Sequence, residues 1–137
     1  MTIAELKRLP VGDWAGSGAH LYLWTTTNFL PRAFSILGAW GFEYVTNLVW
    51  TKPQIGMGNY FRISHEHVLF GAALPRTRTK AKDIPSWFEA PRKAHSSKPE
   101  CFYDLVEKAS EGPYLDMFSR RQGRLNGSWD TWGLEAR

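Results

Sequence analysis

Ser97-Lys98-Pro99-Glu100-Cys101-Phe102-Tyr103-Asp104-Leu105-Val106-Glu107-Lys108-Ala109, then Gly112-Pro113, then Tyr114-Leu115-Asp116-Met117-Phe118 is a helix leading into a strand. Ser97 and Glu100 stand at capping-box spacing with Pro99 in the first turn, and Phe102, Leu105, Val106 and Ala109 supply the apolar residues of a helix. Gly112-Pro113 stops it, because proline cannot continue a helical ladder. Tyr114 to Phe118 then reads as a strand, and Trp129 to Trp132 as another after a basic, glycine-containing connection.

The same alternation recurs upstream. Leu21-Tyr22-Leu23-Trp24 and the threonines after it form a buried strand, entered from the turn Gly16-Ser17-Gly18. Asn28 can cap a helix whose Leu30, Ala33, Phe34, Leu37 and Trp40 share a face, and Gly41 ends it. Phe42 to Trp50 is a second strand, closed at Lys52-Pro53 where proline leaves the ladder. After a loop with Gly56, Gly58 and Asn59, His67-Val68-Leu69-Phe70 resumes strand character. Ahead of all this, Thr2 to Leu9 carries Ile3, Leu6 and Leu9 at helical spacing, and Pro10 closes it. Alternating strands and helices predict an α/β fold with a largely parallel, doubly wound sheet.

At 137 residues the chain fits one domain, and 43% hydrophobic with 22% charged residues is the balance of a packed globular core. No apolar run reaches the roughly 20 residues of a membrane helix, and Glu5, Lys7 and Arg8 stand where a signal peptide would be apolar. The expected location is cytoplasmic. A single cysteine, Cys101, excludes an internal disulfide and is expected to pack as a small apolar residue. The net charge of +4 and pI of about 9.4 favour a polyanionic partner. Arg76, Arg78, Lys80 and Lys82 form an exposed basic loop suited to tracking a phosphate backbone. His65 and His67 face the same way in an extended segment, but no third residue stands at ligand spacing, so no metal site is expected.

Several strings, in this order, resemble the MT-A(70)-like family of adenine-N(6) methyltransferases: Leu21-Tyr22-Leu23-Trp24-Thr25-Thr26, Ala39-Trp40-Gly41-Phe42, Val49-Trp50-Thr51-Lys52, Gly58-Asn59-Tyr60-Phe61-Arg62, His65-Glu66-His67, Arg92, His95-Ser96-Ser97-Lys98-Pro99 and Trp129-Asp130-Thr131-Trp132-Gly133. The resemblance runs from about Leu6 to Glu135. It implies a Rossmann-like methyltransferase fold forming a single partial domain over 1–137, with S-adenosylmethionine as cofactor and DNA or RNA as partner. It also implies that the strands Tyr114 to Phe118 and Trp129 to Trp132 carry the cofactor at their carboxyl ends, with Lys98, Arg120 and Glu135 as cofactor-binding residues. On the substrate side it implies Lys52, Tyr60, Arg62, Glu66 and Arg92, with the loop from Lys52 to Glu66 folding over the target base. Leu134 departs from the family pattern, which has Asn there.

Two of these roles have a physical reading as well. A carboxylate such as Glu135 at a strand end offers two acceptor oxygens to the two hydroxyls of a ribose. A lysine at a helix start is disfavoured by the dipole, so Lys98 needs a nearby anion, and the cofactor's carboxylate would be one. Tyr60 can stack on a base, Arg62 can meet a phosphate, and Glu66 can accept from the base or orient Lys98. The alternative for Tyr60 and Phe61 is that they cover the core beneath a loop.

The family's Asp-Pro-Pro-Trp segment, whose carboxylate and backbone carbonyl polarise the adenine amine, is expected before the first helix. All eight prolines here follow Leu, Lys, Ile, Ala or Gly, so the sequence has no Asp-Pro pair and the catalytic residues are unassigned. A truncated reading frame, a second protein chain completing the catalytic site, and a non-catalytic nucleic-acid-binding or partner subunit all remain open. Loss of the first, catalytic strand would leave neighbouring strands with open edges and favour low stability or self-association. The brevity of the chain looks bacterial or phage-like.

Overall fold

A computed structural model describes residues 1–92, 98–118 and 129–133. The elements run α1 (Ile3–Arg8), α2 (Val11–Trp14), β1 (His20–Thr25), α3 (Leu30–Ala39), β2 (Glu43–Thr51), β3 (His65–Ala72), β4 (Trp87–Glu89), α4 (Glu100–Ala109), β5 (Tyr114–Met117) and β6 (Trp129–Trp132). The chain divides into two compact units, Met1–Arg78 with Pro85–Glu89 and Thr79–Ile84 with Ala90–Arg137.

The first unit is built on a four-stranded sheet of order β1-β3-β2-β4. Its two long ladders, β1 with β3 and β2 with β3, are antiparallel, and only the short β4 runs parallel to β2. The largely parallel sheet expected from the sequence is therefore corrected here. The expectation rested on alternating strands and helices, but no helix separates β2 from β3, and without that crossover the chain returns antiparallel. The β2–β3 register slips between Tyr44 and Thr46, a bulge at Val45. The upper part of β2, beyond its pairing with β4, is an exposed edge.

Helix α3 buries Ala33, Ile36 and Leu37. A side chain at Gly71 would press on the Leu37 Cδ1 and Phe42 Cβ, which shows how closely helix and sheet approach. Val68 and Leu69 are fully inside, each contributing about 1.5–3 kcal/mol by burial. Trp24, Trp50 and Phe88 meet edge to face with Trp24 central, at 5.6 and 6.2 Å. Trp40 Nε1–H donates to the Leu6 carbonyl at 2.8 Å and ties α1 to α3. The first helix is capped by Thr2, whose hydroxyl accepts from Glu5 N–H while the Glu5 carboxylate accepts from Thr2 N–H.

In the second unit, α4 lays Phe102, Tyr103, Val106 and Ala109 inward, and β5 and β6 pair in parallel. Trp129 joins the elements: it stacks on Tyr114 at 4.6 Å, meets the Tyr103 edge at 5.1 Å, and donates Nε1–H to Glu107 at 2.7 Å.

Helices α3 and α4 lie where their apolar periodicity places them, but their caps differ from the expected ones. Helix α4 begins at Glu100 with Pro99, in extended backbone, as its N-cap and with no side-chain cap bond. Ser97, the predicted cap, lies outside the described residues, and the helix starts too late for Pro99 to occupy the first turn. Helix α3 is entered from Phe29 rather than capped by Asn28. The same helical phase that buries Phe102 and Tyr103 turns Cys101 to solvent, so its packing role is corrected. Neither α2 nor β4 was expected, because four- and three-residue elements are too short to show a period.

Candidate functional site

In the second unit the chemistry gathers where β5 and β6 end. Asp116 points to the buried face of β5 and is 6% exposed. Its Oδ1 accepts from Lys98 Nζ at 3.0 Å and its Oδ2 from Tyr103 OH at 2.7 Å. One carboxylate thus holds the chain just before α4, the body of α4 and the strand together. Lys98 was expected to need an anion, and within the chain that anion is Asp116. The ammonium has three N–H donors, of which Asp116 takes one, and its side chain remains 21% exposed.

Just beyond Asp116 the backbone leaves ordinary conformations. Phe118 has φ 55 and Gly133, in the matching position after β6, has φ 132. A Cβ on Gly133 would lie 2.8 Å from the Phe118 Cα, and Phe118 N–H donates to the Trp132 carbonyl. The two chain segments therefore turn out of the parallel pair side by side, at the carboxyl edge where open α/β sheets take ligands. Arg120 and Glu135, expected to bind cofactor there, lie outside the described residues, as does His95.

Neither Asp116 nor Tyr103 is among the site residues that the sequence singles out. A signal was present: Asp116 is the one acidic residue in the otherwise apolar run Tyr114 to Phe118. A carboxylate on a buried strand position requires partners, and that requirement points to Lys98 and Tyr103.

In the first unit, Lys52 and Glu66 are brought together at the open ends of β2 and β3. Lys52 Nζ lies 2.6 Å from Glu66 Oε2 and 4.5 Å from the Trp50 ring centroid, with its side chain 9% exposed. Glu66 thus gives its Oε2 to Lys52. The connecting loop is a closed turn. Lys52 N–H donates to Ser64 O at 2.8 Å, Ile63 N–H to Met57 O at 3.1 Å, and Arg62 Nη1–H to Gly58 O at 2.6 Å. Gly58 has no room for a side chain, which would run into the Phe61 carbonyl. Tyr60 is 94% and Phe61 83% exposed, so neither covers the core and that alternative is corrected.

The basic stretch divides between the two units. Arg76 is paired with Glu43 at 3.0 Å, and Thr77 is fixed by the Gly18 carbonyl at 2.8 Å and by His20. Lys80 N–H donates to the Ala109 carbonyl, and Lys108 pairs with Asp83 at 3.4 Å. Arg92 is exposed in the second unit. His65 and His67 do share a face, ring centroids 5.0 Å apart. Burial foremost, with the His65 charge, holds His67 below the usual imidazole range. Among the described residues no group of three or more His, Cys, Asp or Glu is arranged to hold a metal ion, and no helix is long and apolar enough to cross a membrane.

By fold this is a mixed α/β protein with a held cation beside the carboxyl edge of a parallel strand pair. The chain belongs to the MT-A70 family, which it matches over residues 1–135. It is 26% identical to the N(6)-adenosine-methyltransferase catalytic subunit METTL3 of Homo sapiens, over 97% of this chain and 24% of that protein. It is 27% identical to the N(6)-adenosine-methyltransferase MT-A70-like protein of Drosophila melanogaster, over 97% of this chain and 23% of that protein. The Danio rerio METTL3 subunit gives 24% identity over the same share of the chain. The chain spans about a quarter of the length of these curated relatives. They are animal proteins, so they lend the bacterial or phage expectation no support.

Proposed function

We propose that this chain serves methyl transfer from S-adenosylmethionine to the exocyclic amine of adenine in DNA or RNA, as part of a Rossmann-like methyltransferase domain acting in the cytoplasm. The observation that carries the reading is the Lys98–Asp116–Tyr103 cluster beside the carboxyl edge of β5 and β6. A charge-assisted bond from Lys98 to an incoming carboxylate is worth about 1.5–3 kcal/mol, and Asp116 holds the ammonium for it. The described donors fit the amino-acid end of the cofactor, and Glu135 and Arg120 are the residues proposed for its ribose and adjoining groups. When bound, the cofactor supplies a methyl group on a positively charged sulfur. On the substrate side, Tyr60 stacks on the target base, and Arg62 and Arg92 contact the backbone. The Lys52–Glu66 pair sets the base of that loop and presents a carboxylate oxygen as acceptor.

Two other readings are a second protein chain completing the catalytic site and a non-catalytic nucleic-acid-binding or partner subunit. Titration calorimetry with S-adenosylmethionine separates the readings. Micromolar-range binding by the chain, lost in a folded Lys98→Met variant, is the expected result. Absence of binding alongside salt-sensitive affinity for nucleic acid would replace the enzyme reading with the subunit reading.

A further inference from the structure

Among the described residues, the most anomalous surface is the tip of the loop between β2 and β3. Within seven residues it exposes Ile55 (80%), Met57 (89%), Tyr60 (94%) and Phe61 (83%). Scattered apolar residues on a surface need no explanation, but four in one turn do. The turn is also built rather than slack: Met57 is bonded to Ile63, Gly58 to Arg62, and Gly58 admits the Phe61 carbonyl where any side chain would block it. Chain entropy is thus already spent in presenting the two rings, and among the described residues neither ring packs on another aromatic group.

We infer that Phe61, beside Tyr60, is a second base-stacking position, and that this loop therefore selects unpaired rather than duplex nucleic acid. The inference rests on the proposed reading of Tyr60 as the residue that meets the target base, and extends it to a neighbouring nucleotide. Bases offer a flat face to an aromatic ring only when they leave their own stack, so two exposed rings on one turn suit a strand whose bases are already free. The positive net charge of the chain favours a polyanion over an acidic or neutral apolar partner. Ile55 and Met57 flank the rings as apolar contacts for base and sugar faces. Arg62, next in the chain, still has donors for a phosphate beyond the one given to Gly58.

Fluorescence anisotropy with labelled adenine-containing oligonucleotides of one length, single-stranded and duplex, tests this on the full chain. The single strand should bind more tightly. Phe61→Ala should weaken single-strand binding by roughly fivefold to 150-fold, the range of one lost base stack, while leaving duplex binding unchanged. Phe61→Trp should restore affinity, with indole emission quenched on binding. Because Phe61 is exposed, the alanine variant should keep the wild-type unfolding transition. Equal affinity for duplex and single strand, or no loss in Phe61→Ala, overturns the inference. So does a change confined to sedimentation, which would make the tip a protein-docking surface. Calorimetry with S-adenosylmethionine tests the Lys98 cluster separately. A null result there with the Phe61 effect intact sinks the methyl-transfer reading and spares this one.

Discussion

Replacing Lys98 by methionine keeps the aliphatic stem and removes the charge that neutralises Asp116. The carboxylate would be left 6% exposed with the Tyr103 hydroxyl as its one remaining partner from this cluster. Removing one member of a buried ion pair typically costs about 3–5 kcal/mol. Here Lys98 is 21% exposed and Tyr103 still donates, so about 2–3 kcal/mol is the expected loss. Asp116→Asn added to Lys98→Met removes the orphaned charge while keeping an acceptor for Tyr103, and should recover at least half of that loss. Urea unfolding followed by tryptophan emission measures the four corners of the cycle, with Trp129 reporting from the contact between α4 and β5. A Lys98→Met variant within about 0.5 kcal/mol of wild type, with no recovery in the double variant, would refute the claim that the pair organises this unit.

His67 is held below the usual imidazole range chiefly by burial, so the unfolded chain binds its proton more readily than the folded one. Its contribution to stability is complete above the ordinary value of 6.5 and is lost as pH falls below it; the urea midpoint should drop between pH 7.5 and 5.5, and less so in His67→Gln. Changing Arg76, Arg78, Lys80 and Lys82 together to glutamine should reduce the salt slope of nucleic-acid binding by roughly two to three units. The expectation is below four because Arg76 already has Glu43; an unchanged slope would remove this stretch from the interface.

Strand positions were legible because aromatic and β-branched residues cluster between glycine and proline stops. His20–Thr25, Glu43–Thr51, Tyr114–Met117 and Trp129–Trp132 fall within a residue or two of their sequence reading. Strand direction was not legible. It depends on how β3 returns after the Lys52–Ser64 loop, which is to lie between β1 and β2 and antiparallel to both. Lys98 was singled out by a local electrostatic argument that needs no tertiary knowledge. Its partner lies 18 residues away on another element, and only folding reveals that Asp116 and Tyr103 meet there. Tyr60 and Phe61 could be placed on the loop from sequence, but whether aromatic rings face inward or outward is decided by the turn at Gly58.

The bulge at Val45 has a consequence for how copies of this protein coexist at high concentration. Upper β2 leaves Tyr44 and Val45 about 40% exposed along an outer rim, a profile that invites strand-to-strand recruitment. An extra residue there breaks the spacing of outward-facing amides and carbonyls and deepens the local coil, so an incoming chain finds no continuous row to zip onto. Irregularity at this spot works against cross-β growth, because a strand that cannot zip along the rim cannot template the next copy.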